Sequence, residues 1–179
     1  RRLSKFDKTG KFITSRSGEN DLIVAPAGIK MIRNNLYVCD AGRVQVFDQN
    51  FNLTDSIGVK LGAGVADITS SPDGYLYVAE TEPPTVHVFT VRHTYLHSIQ
   101  HEDLCCPSGV CFDAYQQLLY VCDSVAGCVF VFRHDGECVM KTTIEGGRSN
   151  QMSATTGISL DKDGYLYVCD AGNNRVIVL

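Results

Sequence analysis

Cysteine next to an acidic residue recurs in this chain, and such pairs could bind a metal or place a thiol nucleophile beside a base. Each pair closes a copy of the pentapeptide LYVCD, which occurs three times, with LYVAE as a fourth version. The copies span residues 36–40, 76–80, 119–123 and 166–170. Copies arranged around an axis would place four acids in a ring: Asp40, Glu80, Asp123 and Asp170.

The fourth copy argues that the cysteine is a packing residue. Ala79 stands where the other copies have Cys39, Cys122 and Cys169, so the position accepts any small apolar side chain. Stacked sheets lie about 10 Å apart, whereas a disulfide needs Cα atoms roughly 4.4–6.8 Å apart. We therefore expect no bridge between these cysteines. We expect each acid to accept backbone N–H bonds from the loop that follows it.

Other residues suited to metal binding or catalysis are poorly placed for either. His93, His97 and His101 recur every fourth residue, but on one exposed edge strand they would spread over roughly 26 Å. The Cys105-Cys106 pair has no CxxC partner motif. G-x-S-x-G, H-E-x-x-H and P-loop patterns are absent from the sequence. The sequence therefore predicts no catalytic residue, no metal ligand and no cofactor.

The elements that position these residues are short strands. Each copy of LYVCD follows a strand and a polar turn such as Asp161–Gly164, and a third strand ending in Val-Phe and a fourth strand come after it. The copies start 40, 43 and 47 residues apart. Four strands per unit at this period predict an all-β fold, a β-propeller of four-stranded antiparallel blades. The predicted repeats are approximately 1–15 (partial), 25–57, 61–99, 106–143 and 155–179 (partial).

The first and last repeats are incomplete in the sequence, and two interpretations follow. In the first, the chain of about four blades is a fragment of a larger ring, and the missing blades of the same chain would cover its ends. In the second, the chain closes as a four-bladed ring, with residues 11–15 completing the last blade. The fragment is favoured, because residues 1–6 duplicate a strand that 175–179 already supply.

The repeat resembles a known family. The strings PAGI at 26–29, NNLYVCDAGRVQVF at 34–47 and TTGISLDKDGYLYVCDAGNNRVIVL at 155–179 resemble the NHL repeat. The resemblance implies a ring of about six blades. It also implies the C-terminal recognition domain of tripartite-motif proteins, ubiquitin ligases with RING and B-box domains, in which the propeller binds protein substrates or RNA. In those ligases a separate RING domain carries the activity.

The charge distribution favours a protein partner over RNA. The net charge is −4, yet residues 1–16 carry six basic side chains against one acid. This segment is either a solvated strand or a site for RNA phosphate. RNA contact would use Arg1, Arg2, Lys5, Lys8 and Lys11.

The polar links after each LYVCD copy, together with the longest crossover, are the expected binding surface, because loops on rigid scaffolds carry function. The chosen side chains are Arg43, Glu82, Ser124, Arg148, Asn173, Asn174 and Arg175. Scattered thiols and the lack of any long apolar run predict a cytoplasmic protein without a membrane segment.

Two other functions stay open at this stage. Similar six-bladed propellers include metal-dependent lyases and lactonases, which need His and acidic ligands on their inner strands, and the inner strands here contain no His. An extracellular ligand-binding propeller with disulfides is the third possibility.

Overall fold

The structure is a computed structural model that describes residues 1–17, 23–58, 60–142 and 152–179. Within these ranges, seventeen strands form five antiparallel sheets. In every sheet, strands that follow one another in the chain lie side by side. This simple up-and-down order is the one that the four-strand repeat predicts.

The first sheet, called the N-terminal hairpin, has two strands, the next three sheets have four each, and the last has three. The hairpin contains β1 (Arg2–Phe6) and β2 (Phe12–Ser17). Blade 1 contains β3 (Pro26–Ile32), β4 (Asn35–Asp40), β5 (Arg43–Phe47) and β6 (Leu53–Ile57). Blade 2 contains β7 (Val65–Ser70), β8 (Tyr75–Thr81), β9 (Pro84–Thr90) and β10 (Tyr95–Ile99). Blade 3 contains β11 (Pro107–Asp113), β12 (Leu118–Asp123), β13 (Cys128–Phe132) and β14 (Cys138–Thr142). Blade 4 contains β15 (Thr155–Leu160), β16 (Leu166–Asp170) and β17 (Arg175–Val178).

The sheets stack in chain order as the blades of a β-propeller. The first strands β3, β7, β11 and β15 contact one another in succession. Four hydrophobic clusters lie between successive sheets, and each cluster takes its side chains from both neighbours. The predicted all-β propeller with four blades is therefore confirmed. Its core is a series of interfaces between blades, because each sheet can bury its apolar faces only against the next.

The LYVCD copies form the second strand of each blade, and their side chains alternate between the two interfaces. In blade 2, Leu76 and Val78 face blade 1, while Tyr77 and Ala79 face blade 3. Cys39 and Cys122, which stand at the position of Ala79, are fully buried at the same kind of interface. Burial raises the pKa of the Cys39 thiol far above its usual range. This supports the predicted packing role for Cys39 and Cys122, whereas Cys169 in the last copy is exposed.

The closed four-bladed ring is wrong. Strand β2, which contains residues 12–17, pairs with β1 and not with blade 4. In the described chain, blade 4 has three strands, with β17 paired only to β16. The hairpin stacks instead on blade 1, where Leu3 packs with Leu36 and Phe47.

Helical structure is minor. The described residues form a short 3₁₀ turn at Ala171–Asn173. No helix in the described ranges is long and apolar enough to cross a membrane.

The glycine of the first strand lets neighbouring blades approach closely. A Cβ added at Gly109 would lie 2.9 Å from Cys122 Sγ and 3.2 Å from Gly157 Cα, closer than van der Waals contact allows. A Cβ added at Gly157 meets nothing within 4 Å. The two glycines occupy equivalent register positions opposite Cys122 and Cys169.

We predict that Gly109→Ala lowers the free energy of unfolding by about 1–3 kcal/mol through overpacking between blades 3 and 4. Gly157→Ala is the matched control and should change it by no more than about 0.5 kcal/mol. Urea denaturation of both variants measures the difference. Equal stabilities would contradict the close approach of β11 and β15.

Candidate functional site

The links that follow the LYVCD strands gather at one end of the molecule. Asp40, the last residue of β4, pairs with Pro26, the first residue of β3. The crossover that enters a blade therefore lies beside the link between its second and third strands. Blade 4 repeats this arrangement with Asp170 opposite Thr155. We call this end of the propeller the link end.

A buried carboxylate at the link end binds the crossover of each blade, and in blades 1, 3 and 4 it also contacts groups in or next to the link. The clearest case is Asp123, which is inaccessible to solvent. It accepts N–H bonds from Cys105 at 2.7 Å and Cys106 at 2.8 Å in the crossover. It also accepts N–H bonds from Val125 at 3.0 Å and Ala126 at 2.7 Å in the link. A carboxylate with four backbone donors is well satisfied without a metal ion.

In blades 1 and 4 an arginine joins the backbone donors. Asp170 accepts an N–H bond from Ser153 in the crossover at 2.7 Å, and Arg175 Nε donates to it at 2.6 Å. Asn173 Nδ2 lies 3.0 Å from both carboxylate oxygens. Burial alone would raise the pKa of Asp170, but the bonds from Ser153, Asn173 and Arg175 lower it below its usual range.

Asp40 in blade 1 is the counterpart of Asp170. It accepts N–H bonds from Val24 and Ala25 in the crossover. Arg43 lies 3.6 Å from its carboxylate, and Gln45 Nε2 donates at 3.3 Å. In blades 1 and 4, therefore, the buried acid binds both the crossover and an arginine.

Blade 2 replaces the arginine by a histidine. Glu80 accepts an N–H bond from Gly62 in the crossover and lies 2.7 Å from His87 Nε2. Both side chains are almost fully buried. His87 Nδ1 lies 3.0 Å from Ser98 Oγ, which lies 2.9 Å from the hydroxyl of Tyr95. Blade 2 thus carries a titratable chain of hydrogen bonds where the other blades use guanidinium groups or backbone donors.

The predicted partner of the repeated acid needs a correction. We expected the following loop to supply the N–H donors, and this holds for Asp123 through Val125 and Ala126. In all four blades, however, the crossover that precedes the first strand donates N–H bonds as well. The sequence does not reveal this because the crossover lies about 17 residues upstream and reaches the acid only after the blade has folded.

The predicted surface residues divide into two groups. Arg43, Asn173 and Arg175 contact the buried carboxylates and so fix the links. Glu82, Ser124 and Asn174 make no contact with these carboxylates in the bonds described; Glu82 and Asn174 are exposed, and Ser124 is half-exposed, as Arg43, Asn173 and Arg175 are. Ser124 Oγ donates weakly to Cys106 O at 3.4 Å, and Asn174 has a left-handed φ of 51° at the end of the 3₁₀ turn. Arg148 lies outside the described residues.

The sequence reasoning missed Val125. This side chain is 72% exposed, although it is apolar and stands between Ser124 and Ala126 in a link fixed by Asp123. Exposed apolar side chains on rigid loops are common contact points for protein partners. The sequence did indicate this position, because Val125 follows a copy of LYVCD and the chain reverses direction after each copy.

The histidines do not share one strand, so the expectation of a common edge strand is wrong. Only His97 lies in β10. His93 lies in the turn before it, 3.1 Å from the Tyr37 hydroxyl and 2.6 Å from Asp55 of blade 1. His134 Nδ1 lies 2.9 Å from the Tyr77 hydroxyl, again across two blades. His93 and His134, each in the turn between the third and fourth strands of its blade, therefore link that blade to a tyrosine on the second strand of the preceding blade.

The described residues near the axis include one carboxylate, Asp67. The described part of the chain contains no group of three or more His, Cys, Asp or Glu side chains that could hold a metal ion. A cavity of about 430 Å³ lies between the first strands, with Asp67 as the carboxylate in its lining. Asp67 accepts N–H bonds from Ile68 at 2.9 Å and Val110 at 3.0 Å. Burial raises its pKa despite these bonds.

The basic N-terminal residues do not form one continuous strip. Lys5 Nζ donates to Gln49 O at 2.8 Å, and Arg16 Nε donates to Phe51 O at 3.0 Å, so both contact blade 1. Arg1, Lys8 and Lys11 are exposed, the two lysines close to the turn of the hairpin. RNA binding through this segment stays a prediction.

We predict that Asp123→Ala lowers the free energy of unfolding by at least about 3 kcal/mol, because four buried N–H groups lose their acceptor. Asp163→Ala is the control, since Asp163 is exposed and pairs with exposed Lys162. Urea denaturation monitored by tyrosine fluorescence gives both values. A loss below about 1 kcal/mol for Asp123→Ala would contradict the loop-fixing role.

A pH dependence follows from His134. Burial and the nearby His97 lower its pKa below the usual value of about 6.5. The folded state therefore favours the neutral ring, and the unfolded state binds more protons as pH falls through about 6.5. We predict that the unfolding free energy falls between pH 7.5 and 5.5, and that His134→Gln makes the fall shallower. Unchanged slopes in urea titrations across this range would contradict the prediction.

Comparison with known structures agrees with the propeller architecture. The chain is similar to virginiamycin B lyase from Staphylococcus aureus, with a TM-score of 0.77 and 13% identity over 99% of this chain and 62% of that one. A streptogramin B lyase gives a TM-score of 0.74 and 14% identity over 99% and 61%. A chain of a nidogen/laminin complex gives 0.77 and 17% over 93% and 63%. Such low identities show the fold alone.

The chain spans about three fifths of the length of these structures. A sequence search of curated proteins found no match. The family model described as SMP-30/Gluconolactonase/LRE-like region matches residues 4–179, which is nearly the whole chain. The protein therefore belongs to the SMP-30/gluconolactonase/LRE-like family of β-propellers.

Proposed function

We propose that this chain is a protein-recognition module that uses the link end as its contact surface. The observation that carries the proposal is the set of hydrogen bonds that hold the loops at the link end: buried carboxylates contact the links of blades 1, 3 and 4, and Thr81 bonds to Gly64 O beside the link of blade 2. Binding to pre-formed loops costs little conformational entropy, so the side chains that they present can contribute their contact energy to affinity. Glu82, Val125 and Asn174 are exposed on three different links and offer an acidic, an apolar and an amide group.

The chemistry of this surface suits a protein better than RNA. Val125 is a large exposed apolar side chain, and Glu82 would repel phosphate. Arg43 and Arg175, which could attract phosphate, lie against Asp40 and Asp170. The net charge of −4 points the same way.

The finer proposal follows the resemblance of the repeats to NHL domains. In this view the chain is the substrate-recognition propeller of a cytoplasmic tripartite-motif ubiquitin ligase, with the ligase chemistry in a separate RING domain. The eight cysteines are unpaired, which agrees with a reducing compartment. The flanking sequence decides this point: an upstream RING or B-box would support it and a signal peptide would refute it.

A lyase or lactonase is the second candidate, because the family description includes gluconolactonase and two similar structures are lyases. The metal that such propellers use by resemblance finds no fitting ligand set among the described residues. Asp67 stands alone at the axis with two backbone donors, and the repeated acids are engaged in their loops. We therefore derive no catalytic step for this chain.

We predict that Val125→Asp combined with Glu82→Lys weakens binding of a protein partner at least about tenfold, because the link end would lose its exposed apolar contact and reverse a charge. The partner is first identified by crosslinking in cell extract and then measured as a purified protein by calorimetry. Tyr115→Asp is the matched control. Tyr115 is 96% exposed and lies in the β11–β12 turn at the opposite end of blade 3.

Stability of these variants should stay within about 0.5 kcal/mol of the parent, since all three side chains are exposed. Retained affinity in the double variant, with loss in Tyr115→Asp, would place the partner elsewhere. Micromolar, salt-sensitive binding of single-stranded RNA would show that the partner is RNA and not a protein. Stoichiometric Zn²⁺ or Ca²⁺ in the purified protein would favour the enzyme.

A further inference from the structure

An open pocket lies at the link end where blade 2 meets blade 3. Its volume is about 430 Å³, which falls within the roughly 300–1,000 Å³ that is usual for ligand pockets. One wall comes from the link of blade 2 and the start of β9, and the other from the crossover into blade 3. The lining residues are Pro83, Pro84, Gln100, His101, Glu102 and Leu104. Both blades have four strands and a described blade on either side, so the pocket does not lie at an open end of the stack.

Hydrogen bonds fix the crossover wall of the pocket. Leu104 N donates to His101 O at 3.0 Å, which closes a turn, and Asp103 N donates to His101 Nδ1 at 3.1 Å. Gln100 Nε2 donates to Thr85 Oγ1 of β9 at 3.4 Å, which joins the two walls. The side chain of Leu104 is buried in the hydrophobic cluster between blades 2 and 3. The pocket is therefore formed before a ligand binds, and this limits the entropy cost of binding.

The polar groups of the pocket favour a cationic ligand. Glu102 supplies a carboxylate, and Gln100, whose amide nitrogen is bonded to β9, offers Oε1 as an acceptor. Glu82 stands exposed in the adjoining link. Asp103 pairs with Lys141 at 3.0 Å, whereas neither Glu82 nor Glu102 has an ion-pair partner among the described residues. The described lining also contains no lysine or arginine. Phosphate would therefore be repelled, and a basic side chain attracted.

The remaining lining favours arginine over lysine. The pyrrolidine rings of Pro83 and Pro84 and the imidazole of His101 provide apolar surface beside the carboxylate. A guanidinium group is planar and weakly hydrated, so it can lie against such rings while its five N–H donors reach both Glu102 and an amide oxygen. The ammonium group of lysine is compact and strongly hydrated, so it loses more by leaving water.

We propose that this pocket binds an arginine side chain of a partner protein. The aliphatic stem packs on Pro84 and Leu104, and the guanidinium donates to Glu102 and to Gln100 Oε1. A neighbouring apolar side chain of the same partner reaches Val125, whose link borders the same crossover through the 2.9 Å bond from Ser124 N to Cys106 O. The proposal rests on the proposed function and names the chemical group that the link end recognises.

The test uses the whole chain labelled with ¹⁵N and a five-residue peptide, blocked at both ends, with arginine at its centre and valine on either side. We expect the amide signals of residues 100–104 to shift, with a dissociation constant of about 1 mM or tighter. The same peptide with citrulline, which has nearly the shape of arginine but no charge, or with lysine should bind at least about threefold more weakly. No shift at 100–104, or equal affinity of the citrulline peptide, would overturn the proposal.

Glu102→Gln tests the contact itself. We expect this variant to bind the arginine peptide at least about fivefold more weakly and the citrulline peptide almost unchanged, because the comparison isolates the pair of charges. Glu137→Gln is the matched control and should change neither affinity. Glu137 is exposed and pairs with Arg133 in the β13–β14 turn, at the opposite end of blade 3. An equal loss for both peptides in Glu102→Gln would show that no charge pair forms and would overturn the proposal.

Other occupants give different results. Tighter binding of a peptide with phenylalanine at its centre would assign the pocket to an apolar side chain and overturn the proposal. A ten-nucleotide single-stranded RNA that shifts the signals of residues 100–104 at lower concentration than the arginine peptide would overturn it in favour of RNA.

The proposed function has a separate readout. If Val125→Asp with Glu82→Lys weakens binding of the purified partner but the arginine peptide does not bind, the arginine proposal alone fails. If the peptide binds but the double variant keeps its affinity for the partner, the proposed function fails and the arginine pocket stands.

Discussion

The need to satisfy a buried carboxylate governs the link end of this propeller. An acid ends each second strand at a point where neighbouring loops exclude water, and an unpaired charge there would cost several kcal/mol. The chain meets this demand by folding the crossover and the link around the acid. Asp123 shows the result in its simplest form, with two N–H donors from each loop. In blade 3 one side chain therefore holds both the entry of the chain into the blade and the loop that the blade presents, whereas Glu80 of blade 2 bonds to the crossover and to His87.

The blades share a buried acid at the link end but differ in the group that balances its negative charge. Arg43 and Arg175 stay charged at any physiological pH, so blades 1 and 4 hold their links by a permanent ion pair. In blade 2 the imidazole of His87 lies against the acid through Nε2, and its Nδ1 lies beside Ser98, which in turn lies beside Tyr95. Thr85 stands opposite Glu80 where blades 1 and 4 have Arg43 and Arg175, and His87, two residues later, contacts the acid instead. The carboxylate of Glu80 thus still bonds to the crossover, and Glu82 lies exposed in the link beside it.

The sequence predicted what depends on local pattern. The LYVCD repeat located the second strands, and the turn residues marked the strand ends. The comparison with Ala79 correctly predicted packing for Cys39 and Cys122 but not for Cys169, which is exposed. Contacts between blades could not be read this way, because they join residues more than 50 positions apart. Tyr37 with His93 and Tyr77 with His134 are such pairs, and the regular spacing of the histidines pointed instead to a shared strand. Of the groups that donate to the repeated acids, the sequence predicted those in the link, which follows the acid directly. It did not predict those in the crossover, which is distant in the chain.

The stacking of one blade on the next also determines which parts of the propeller can contact a partner. A face buried between blades is closed to ligands, so only loops, edges and uncovered faces remain. The link end has fixed loops but little exposed apolar area beyond Val125, which suits a small contact of modest affinity.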